Sequence, residues 1–234
     1  MKKLINPIIK ASLLIYPRLC EACRQRIDDE VAVICVECRL TLPRTNFHLH
    51  KDNPVMKVFW GRIPLEYAFS FLYFVKESRS QKLMHALKYK GLKEIGQITG
   101  QWFGEDVDKH KDVADNIDIV LPVPLHPKKL KKRGYNQSEY IARGIAQGMK
   151  KDISVDNLIR LKHTDTQTRK SRFHRWENVS GIFDVKDVQL FESKHLLLVD
   201  DVITTGSTIE ACYLALKQCK DLKLSVASLA FAHV

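Results

Sequence analysis

The sequence predicts an α/β protein, built on an open, mainly parallel β-sheet with flanking helices and preceded by a small cysteine-rich module. Strand-like apolar segments alternate with helix-like segments from residue 67 onwards, which is typical of a parallel sheet covered by helices. Four of the six cysteines fall within residues 20–38. The 234 residues are 45% hydrophobic, which excludes wholesale disorder. No apolar run approaches the roughly 20 residues that a membrane span requires, so we expect no such span.

Each element of the predicted sheet domain has a sequence signal. Helices show apolar positions three and four residues apart, and strands are apolar or aromatic runs bounded by turn residues. Asn136 followed by Glu139 resembles a capping box at the start of a helix. In order, the predicted elements are an aromatic strand or strand pair (67–75), helices over 79–90 and 92–104, a strand over 117–125, a helix over 137–150, a short strand over 157–161, a strand ending near Phe183, a strand over 195–199, a helix over 207–219 and a strand over 224–234.

Three regions are predicted along the chain. Residues 1–50 form the cysteine-rich module and begin with an amphipathic helix, because apolar residues recur there at helical spacing. Pro7 and Lys10 interrupt this apolar stretch, so it is a poor signal peptide and we expect a cytoplasmic protein. Residues 51–66 are rich in turn-forming proline and glycine and predict a linker to the main domain, residues 67–234.

The cysteine spacing predicts a structural zinc site. Cys20 and Cys23 form one C-x2-C pair, Cys35 and Cys38 form another, and eleven residues separate the pairs. Two such pairs direct four thiolates towards one tetrahedral ion and leave no open position for a substrate. Two disulfides are an alternative that would need export from the cell, and a redox pair is an alternative that would need only one C-x2-C. A module of ~50 residues also needs a staple of this kind, because it buries little core.

A second pattern predicts a site for a sugar phosphate. Residues 195–208 (HLLLVDDVITTGST) describe an apolar strand, two carboxylates, and a Thr/Gly/Ser turn at the start of a helix. The N-terminus of the helix offers unpaired N–H groups to a phosphate, and Gly206 lets the backbone approach it. Asp200 and Asp201 can accept hydrogen bonds from two vicinal sugar hydroxyls, so ribose 5-phosphate fits both halves. The glycine patterns of P-loops and dinucleotide-binding folds are absent, and a purely structural Asp-Asp helix cap is the alternative.

Positive charge is concentrated in two segments. The net charge is +11, and residues 128–133 (KKLKKR) and 160–175 contribute +5 each. Such concentration predicts an anionic partner at one or two loops, whereas solvated lysines on a surface helix are the alternative.

At this point the motifs resemble a known family. LLLVDDVITTGST (196–208) resembles the 5-phosphoribosyl 1-pyrophosphate (PRPP) signature of type I phosphoribosyltransferases. The segments LPVPLHP (121–127), RGYNQ (133–137), TQT (166–168) and RWENVSGIF (175–183) resemble the ComF family, which is associated with bacterial natural competence. The resemblance covers nearly the whole chain and implies a type I phosphoribosyltransferase-like fold behind an N-terminal four-cysteine zinc ribbon.

The resemblance also implies a role for individual residues. Asp200 and Asp201 would hold the ribose hydroxyls, and Mg²⁺ would accompany PRPP and neutralise its pyrophosphate. The 5′-phosphate would bind Thr204, Thr205, Gly206, Ser207 and Thr208, and the pyrophosphate loop would be Pro124, Leu125 and His126. A mobile loop would close over the site with Thr166, Gln167, Arg172, Arg175 and Asn178.

The basic segment predicts a longer anion than pyrophosphate. Five positive charges beside one pyrophosphate loop exceed what that group needs, which indicates single-stranded DNA running past the site. The residues expected to contact the nucleic acid are Lys128, Lys129, Lys131, Lys132, Arg133 and Tyr135. Tyr135, Phe173 and Trp176 are candidates for base stacking, with core packing as the alternative. Asn136 and Gln137 are either binding residues or a helix cap.

These patterns leave three hypotheses for function. The first is a PRPP-binding ComF-like protein that takes part in DNA uptake and natural transformation and binds single-stranded DNA. The second is an active phosphoribosyltransferase that displaces pyrophosphate from PRPP with a base or another small acceptor. The third is a scaffold whose transferase site is vestigial and whose zinc ribbon and sheet edge contact a partner, such as a competence helicase or another DNA-uptake protein. The intact Asp200-Asp201 pair argues against a dead PRPP site, but no clear acceptor-specific motif is present.

Overall fold

The protein folds around a five-stranded sheet in which every strand pair is parallel. The computed structural model describes residues 17–27, 32–161 and 181–232. The strand order is β1-β7-β6-β2-β3, and a separate antiparallel pair, β4-β5, lies outside this sheet. The strands are β1 (Ala68–Tyr73), β2 (Ile119–Pro122), β3 (Asp152–Ile153), β4 (Leu158–Arg160), β5 (Phe183–Val185), β6 (His195–Ile203) and β7 (Lys223–Phe231). The predicted parallel-sheet α/β class is confirmed.

Eight described α-helices accompany the strands. They are α1 (Val36–Thr41), α2 (Pro54–Phe59), α3 (Arg79–Tyr89), α4 (Lys93–Asp108), α5 (Lys111–Ala114), α6 (Pro127–Arg133), α7 (Gln137–Met149) and α8 (Ser207–Leu216). Short 3₁₀ turns occupy Phe47–Leu49 and Gln189–Phe191. None of the helices in the described ranges combines the length and apolarity that a transmembrane segment requires.

The core is centred on β6. Its first five residues, His195 to Val199, are all buried, because β7 and β2 flank it and helix α7 packs against it. A strand buried on both faces must be apolar throughout rather than alternating, which explains the HLLLV run. The chain therefore delivers residues 200–208 to the carboxyl end of the middle strand, where open parallel sheets bind their ligands.

Helices α4 and α7 pack through glycines. A Cβ atom added at Gly144 would overlap the carbonyl oxygen of Gln97 and lie 2.6 Å from the backbone nitrogen of Gln101. A Cβ at Gly148 would lie 2.5 Å from the carbonyl oxygen of Gln101. The two backbones therefore touch, and this contact fixes how α7 lies against β2 and β6.

Three segments differ from the sequence expectations. Residues 128–133, expected in a loop, lie in helix α6, because Pro127 occupies its first turn and Gly134 ends it with a left-handed conformation (φ 80°). Phe183 begins strand β5 rather than ending a strand, and β5 pairs with β4. The segment 51–66, predicted as a linker, contains helix α2, whose cap Asn53 is buried and donates to the Ala68 carbonyl oxygen at 2.9 Å. The division into domains itself stays a prediction.

We predict that Gly144→Ala destabilises the protein despite the higher helix propensity of alanine. The propensity gain of about 1 kcal/mol is outweighed by overpacking against the backbone of α4, so the free energy of unfolding should fall by about 2 kcal/mol. Urea unfolding followed by circular dichroism measures the change. Gln147→Ala, an exposed position on the same helix, is the control and should change little. An increase in stability for Gly144→Ala would contradict the close helix contact.

Candidate ligand-binding site and metal centre

Asp200 and Asp201 form a carboxylate pair at the carboxyl end of β6. One carboxylate oxygen of Asp200, Oδ1, accepts hydrogen bonds from the Ser138 hydroxyl at 3.1 Å and from the Asp201 backbone N–H at 2.8 Å. The carboxylate of Asp201 pairs with the Lys88 ammonium at 3.0 Å. The lysine comes from helix α3 and the serine from α7, so two separate helices hold the pair.

The Asn136 side chain explains how Ser138 reaches this site. Its amide nitrogen donates to the Val123 carbonyl oxygen at 3.0 Å, and its Oδ1 accepts the Ser138 N–H at 3.2 Å. Asn136 is thus a helix cap, as one alternative proposed, and it also fixes the segment that follows β2. The neighbouring Gln137 is buried, and its Oε1 accepts a hydrogen bond from Arg133 at 2.8 Å.

The carboxylate pair is electrostatically strained. Burial, and next the charge of Asp201, raise the pKa of Asp200 to about 7, although the Asp201 N–H, the Ser138 hydroxyl and Lys88 act to lower it. Two adjacent carboxylates in a partly desolvated site cannot both ionise freely. Near neutral pH, Asp200 therefore exchanges its proton readily and Lys88 balances the charge of Asp201.

The turn after β6, Thr204–Thr208, has the features of an anion-binding loop, and we call it the phosphate turn. Its Thr and Ser side chains are exposed, and Gly206 adopts a left-handed conformation with φ 77°. Helix α8 begins at Ser207, and no side chain caps its first N–H groups. Such N–H groups and nearby hydroxyls suit a phosphate. A small cavity is lined by Asp200, Val202, Ile203, Thr204, Thr205, Gly206, Ser207, Thr208 and Ile209.

Helix α2 and the residues after it brace the phosphate turn from behind. Arg62 donates from Nη1 to the Thr205 carbonyl oxygen at 2.7 Å and pairs through Nε and Nη2 with the Glu210 carboxylate at 2.5 and 2.7 Å. A Cβ at Gly206 would lie 2.5 Å from Cε1 of Phe59, so only glycine fits there. These contacts join segments more than 140 residues apart, and no local pattern in the sequence predicts them.

The expected pyrophosphate loop lies at the same edge of the sheet. Pro124, Leu125 and His126 follow β2, which pairs directly with β6, and the Val123 N–H donates to the Val199 carbonyl oxygen at 2.8 Å. His126 Nδ1 accepts the Lys128 N–H at 3.1 Å and starts α6. The expected mobile-loop residues Thr166, Gln167, Arg172, Arg175 and Asn178, together with Phe173 and Trp176, lie outside the described residues.

The residues expected to contact nucleic acid differ in their exposure. Lys128, Lys129, Lys131 and Lys132 are exposed on α6. Tyr135 is half-buried, donates its hydroxyl to the Leu87 carbonyl oxygen and contacts Tyr140 edge to face, with ring centroids 5.6 Å apart. These contacts favour the core-packing alternative for Tyr135 over base stacking. Lys88, on helix α3, pairs with Asp201 and does not belong to this exposed group.

The four N-terminal cysteines form a cluster that fits a metal ion. The Sγ atoms of Cys20, Cys23, Cys35 and Cys38 all lie within 4.8 Å of one another. The sulfurs of Cys23 and Cys35 are 3.8 Å apart, which matches the edge of about 3.8 Å expected for a zinc tetrahedron with Zn–S bonds of about 2.3 Å. All six cysteines of the chain are described and unbonded, so the disulfide alternative is not seen.

The thiols of this cluster differ in acidity. Although burial acts to raise it, the backbone N–H groups of Cys35, Cys23 and Ala22 lower the pKa of Cys20 to about 7. Burial, together with the neighbouring sulfurs, raises the pKa of Cys38. Thiolates are the form that binds zinc, so this set of donors is suited to a divalent cation that offsets their mutual repulsion.

Comparison with known proteins identifies relatives over most of the chain. No protein-family model matches the sequence. The chain is 36% identical over 95 residues to Competence protein F of Haemophilus influenzae, covering 39% of this chain and 41% of that protein. It is 25% identical to DNA utilization protein YhgH of Shigella flexneri, covering 82% of this chain and 80% of that protein. It is also 25% identical to Competence protein ComFC of Bacillus subtilis, covering 86% and 79%.

Two solved structures illustrate the structural likeness. A glutamine PRPP amidotransferase from B. subtilis aligns with 62% of this chain and 30% of its own, at 17% identity and a TM-score of 0.44. A hypoxanthine-guanine phosphoribosyl transferase from L. donovani aligns with 58% and 67%, at 15% identity and a TM-score of 0.36.

The fold and the site define a parallel-sheet α/β protein that carries a carboxylate pair at the end of its central strand and a four-cysteine cluster. Its homologues are the proteins named Competence protein F, ComFC and YhgH, which confirms the ComF resemblance. The matched part spans 41% of the length of Competence protein F and 56% of another matched relative, whereas it spans 80% of the Shigella flexneri YhgH protein and 79% of ComFC.

We predict that Asp200→Asn stabilises the protein in a pH-dependent manner. The pKa of Asp200 is raised in the folded protein from the ordinary value of 3.8 to about 7. The stability that its protonation contributes is therefore fully present below about pH 4 and is lost as the pH rises through 7. Asparagine resembles the protonated acid. At pH 8 the free energy of unfolding of the variant should therefore exceed that of the wild type by up to about 4 kcal/mol. This figure follows from about 1.36 kcal/mol for each unit by which the pKa is raised.

Urea unfolding at pH 5 and pH 8 measures this difference. Asp115→Asn, at an exposed position away from the site, is the matched control and should show no such pH dependence. An equal effect of Asp200→Asn at both pH values would contradict the raised pKa.

Proposed function

We propose that this protein binds PRPP with Mg²⁺ and acts in DNA uptake and natural transformation, where it binds single-stranded DNA through helix α6. The observation that carries the proposal is the carboxylate pair placed directly before the phosphate turn on the central strand. The names of the homologues, two competence proteins and a DNA utilization protein, support the cellular process.

The geometry of the site suits a phosphoribosyl group. In the proposed complex, the carboxylates of Asp200 and Asp201 accept the two vicinal ribose hydroxyls, and the phosphate turn donates N–H and hydroxyl groups to the 5′-phosphate. Lys88 pairs with the Asp201 carboxylate and offsets its charge beside Asp200. The segment Pro124–His126 faces the same sheet edge and is assigned to the pyrophosphate. Mg²⁺, bound with the pyrophosphate, would neutralise its charge.

The cysteine cluster is assigned a structural Zn²⁺. The four sulfurs would complete the tetrahedron and leave no position for substrate. We therefore propose no direct chemical role for this ion.

We predict that PRPP with Mg²⁺ binds saturably to the zinc-loaded protein in a calorimetric titration and that Asp201→Asn abolishes the binding. The substitution removes a hydroxyl acceptor and leaves Lys88 without its carboxylate. Asp115→Asn, which removes the same charge from an exposed distant site, should bind as the wild type does. A folded wild-type protein that does not bind PRPP would refute the proposed ligand.

We predict that replacing Lys128, Lys129, Lys131 and Lys132 with Ala weakens binding to single-stranded DNA and flattens its salt dependence. Each phosphate contact contributes about 0.7 to the slope of log K against log [salt], so the slope should fall by up to ~3. Fluorescence anisotropy at several salt concentrations measures both quantities.

A matched variant separates position from net charge. The control variant replaces four exposed lysines near the opposite edge of the sheet with Ala and so changes the net charge by the same amount. These residues are Lys194, Lys217, Lys220 and Lys223. This control should leave the slope unchanged. An equal effect of the two variants would mean that α6 is not the DNA site.

A second candidate function is phosphoribosyl transfer. The intact carboxylate pair and phosphate turn favour it. In that reaction an acceptor atom forms a bond to the anomeric carbon of PRPP while the bond from that carbon to the pyrophosphate oxygen breaks. Release of pyrophosphate in the presence of an acceptor would distinguish turnover from binding alone.

A further inference from the structure

Helix α3 presents two aromatic rings to solvent beside the basic helix. Tyr89 is 66% exposed, and its ring centroid lies 4.9 Å from that of His85, one helical turn earlier and also exposed. The Arg133 guanidinium carbon lies 5.5 Å from the Tyr89 ring centroid, a cation–π contact. The tyrosine thus joins α3 to the last residue of α6.

The exposure of Tyr89 is not explained by packing. Within the described ranges it is more exposed than the other solvent-facing aromatic side chains, Trp60 at 59% and Tyr73 at 41%. A ring in this position buries little apolar area, and its contact with His85 at the i, i+4 spacing stabilises a helix by only about 0.2–0.5 kcal/mol. The exposed part of the ring can therefore meet a ligand with a flat apolar surface.

Charge defines which ligand suits this ring. Arg133 ends the helix that carries Lys129, Lys131 and Lys132, so the aromatic face borders a row of positive charges. A flat apolar group attached to a chain of negative charges matches this combination, and a nucleobase in a single strand is such a group. In a duplex the bases are stacked on one another and their faces are not available.

The ring is also partly preorganised. Arg133 is itself held by its hydrogen bond to Gln137 Oε1 at 2.8 Å, and Gln137 is buried. A ring restrained by a fixed guanidinium loses less rotational freedom when a base stacks on it. Tyr135, which is a candidate for base stacking from the sequence, is less accessible to a base. Its side chain is half-buried, and its hydroxyl donates to the Leu87 carbonyl oxygen.

We propose that Tyr89 stacks on a nucleobase of single-stranded DNA and that Arg133 and the lysines of α6 contact the adjoining phosphates. The proposal rests on the proposed DNA-binding function and adds to it a base-contacting residue on α3. Lys88 on the same helix pairs with Asp201, so α3 carries both the proposed base contact and a residue of the carboxylate site.

The test compares two ligands of equal charge, a short oligothymidylate and an abasic oligonucleotide of the same length. Tyr89→Ala should weaken binding of the oligothymidylate about 5- to 150-fold, the range for loss of one stacked base. It should leave binding of the abasic strand and the salt slope unchanged. Tyr89→Phe keeps the ring and should bind both ligands as the wild type does.

Other outcomes overturn the proposal in distinguishable ways. Equal losses for both oligonucleotides, or no loss for either, would refute stacking while leaving DNA binding by α6 intact. A wild-type protein that binds neither oligonucleotide would refute the proposed DNA function together with the stacking. Unfolding in urea should be the same for Tyr89→Ala and wild type within about 0.5 kcal/mol, which excludes an indirect loss.

Discussion

The ion pair between Lys88 and Asp201 is the contact on which the ligand site depends. A strand buried on both faces brings two consecutive carboxylates to its end, and their repulsion and desolvation oppose folding. Lys88 offsets the charge of one, and Ser138 together with a backbone N–H holds the other. Helices α3 and α7 must therefore both lie close to the end of β6. The glycine contact between α4 and α7 sets the second of these positions, because it lets the backbones touch.

The cysteine cluster is linked to the same ion pair through helix α3. Lys90, two residues beyond Lys88, pairs with Glu21 at 2.9 Å, and Glu21 lies between Cys20 and Cys23. At the other end of the helix, Arg79 pairs with Glu37 at 3.5 Å, on the turn between Cys35 and Cys38. Each C-x2-C pair thus contacts one end of the helix that holds Asp201. Isolated surface ion pairs contribute little stability, but here two of them tie the four-cysteine module to the two ends of one helix.

The sequence predicts the parts of this site that local patterns encode. The apolar run before Asp200 and the Gly206 turn before a helix each have a local physical cause, and the structure places both at one edge of the sheet. The sequence predicts a loop at the position of helix α6. The helix contains one apolar residue, Leu130, so it shows no apolar periodicity, although Pro127 and Gly134 mark its ends. Leu130 is 43% exposed, so the helix has no buried face that would require such a pattern. The contacts of Lys88, Arg62 and Tyr89 depend on tertiary packing between distant segments, which periodicity and spacing do not report.

The two proposed anion-binding features of the chain would work by different physics. The phosphate turn offers N–H groups at a helix start, with Phe59 and Arg62 holding the backbone in place, so it would select a small anion by geometry. Helix α6 carries exposed ammonium groups, which would attract a polyanion and release counterions when it binds. Binding at the turn should therefore depend on pH through Asp200 and little on salt, whereas binding at α6 should depend strongly on salt. Lys88 and Tyr89 both belong to α3, so one helix contributes to the carboxylate site and to the surface beside α6.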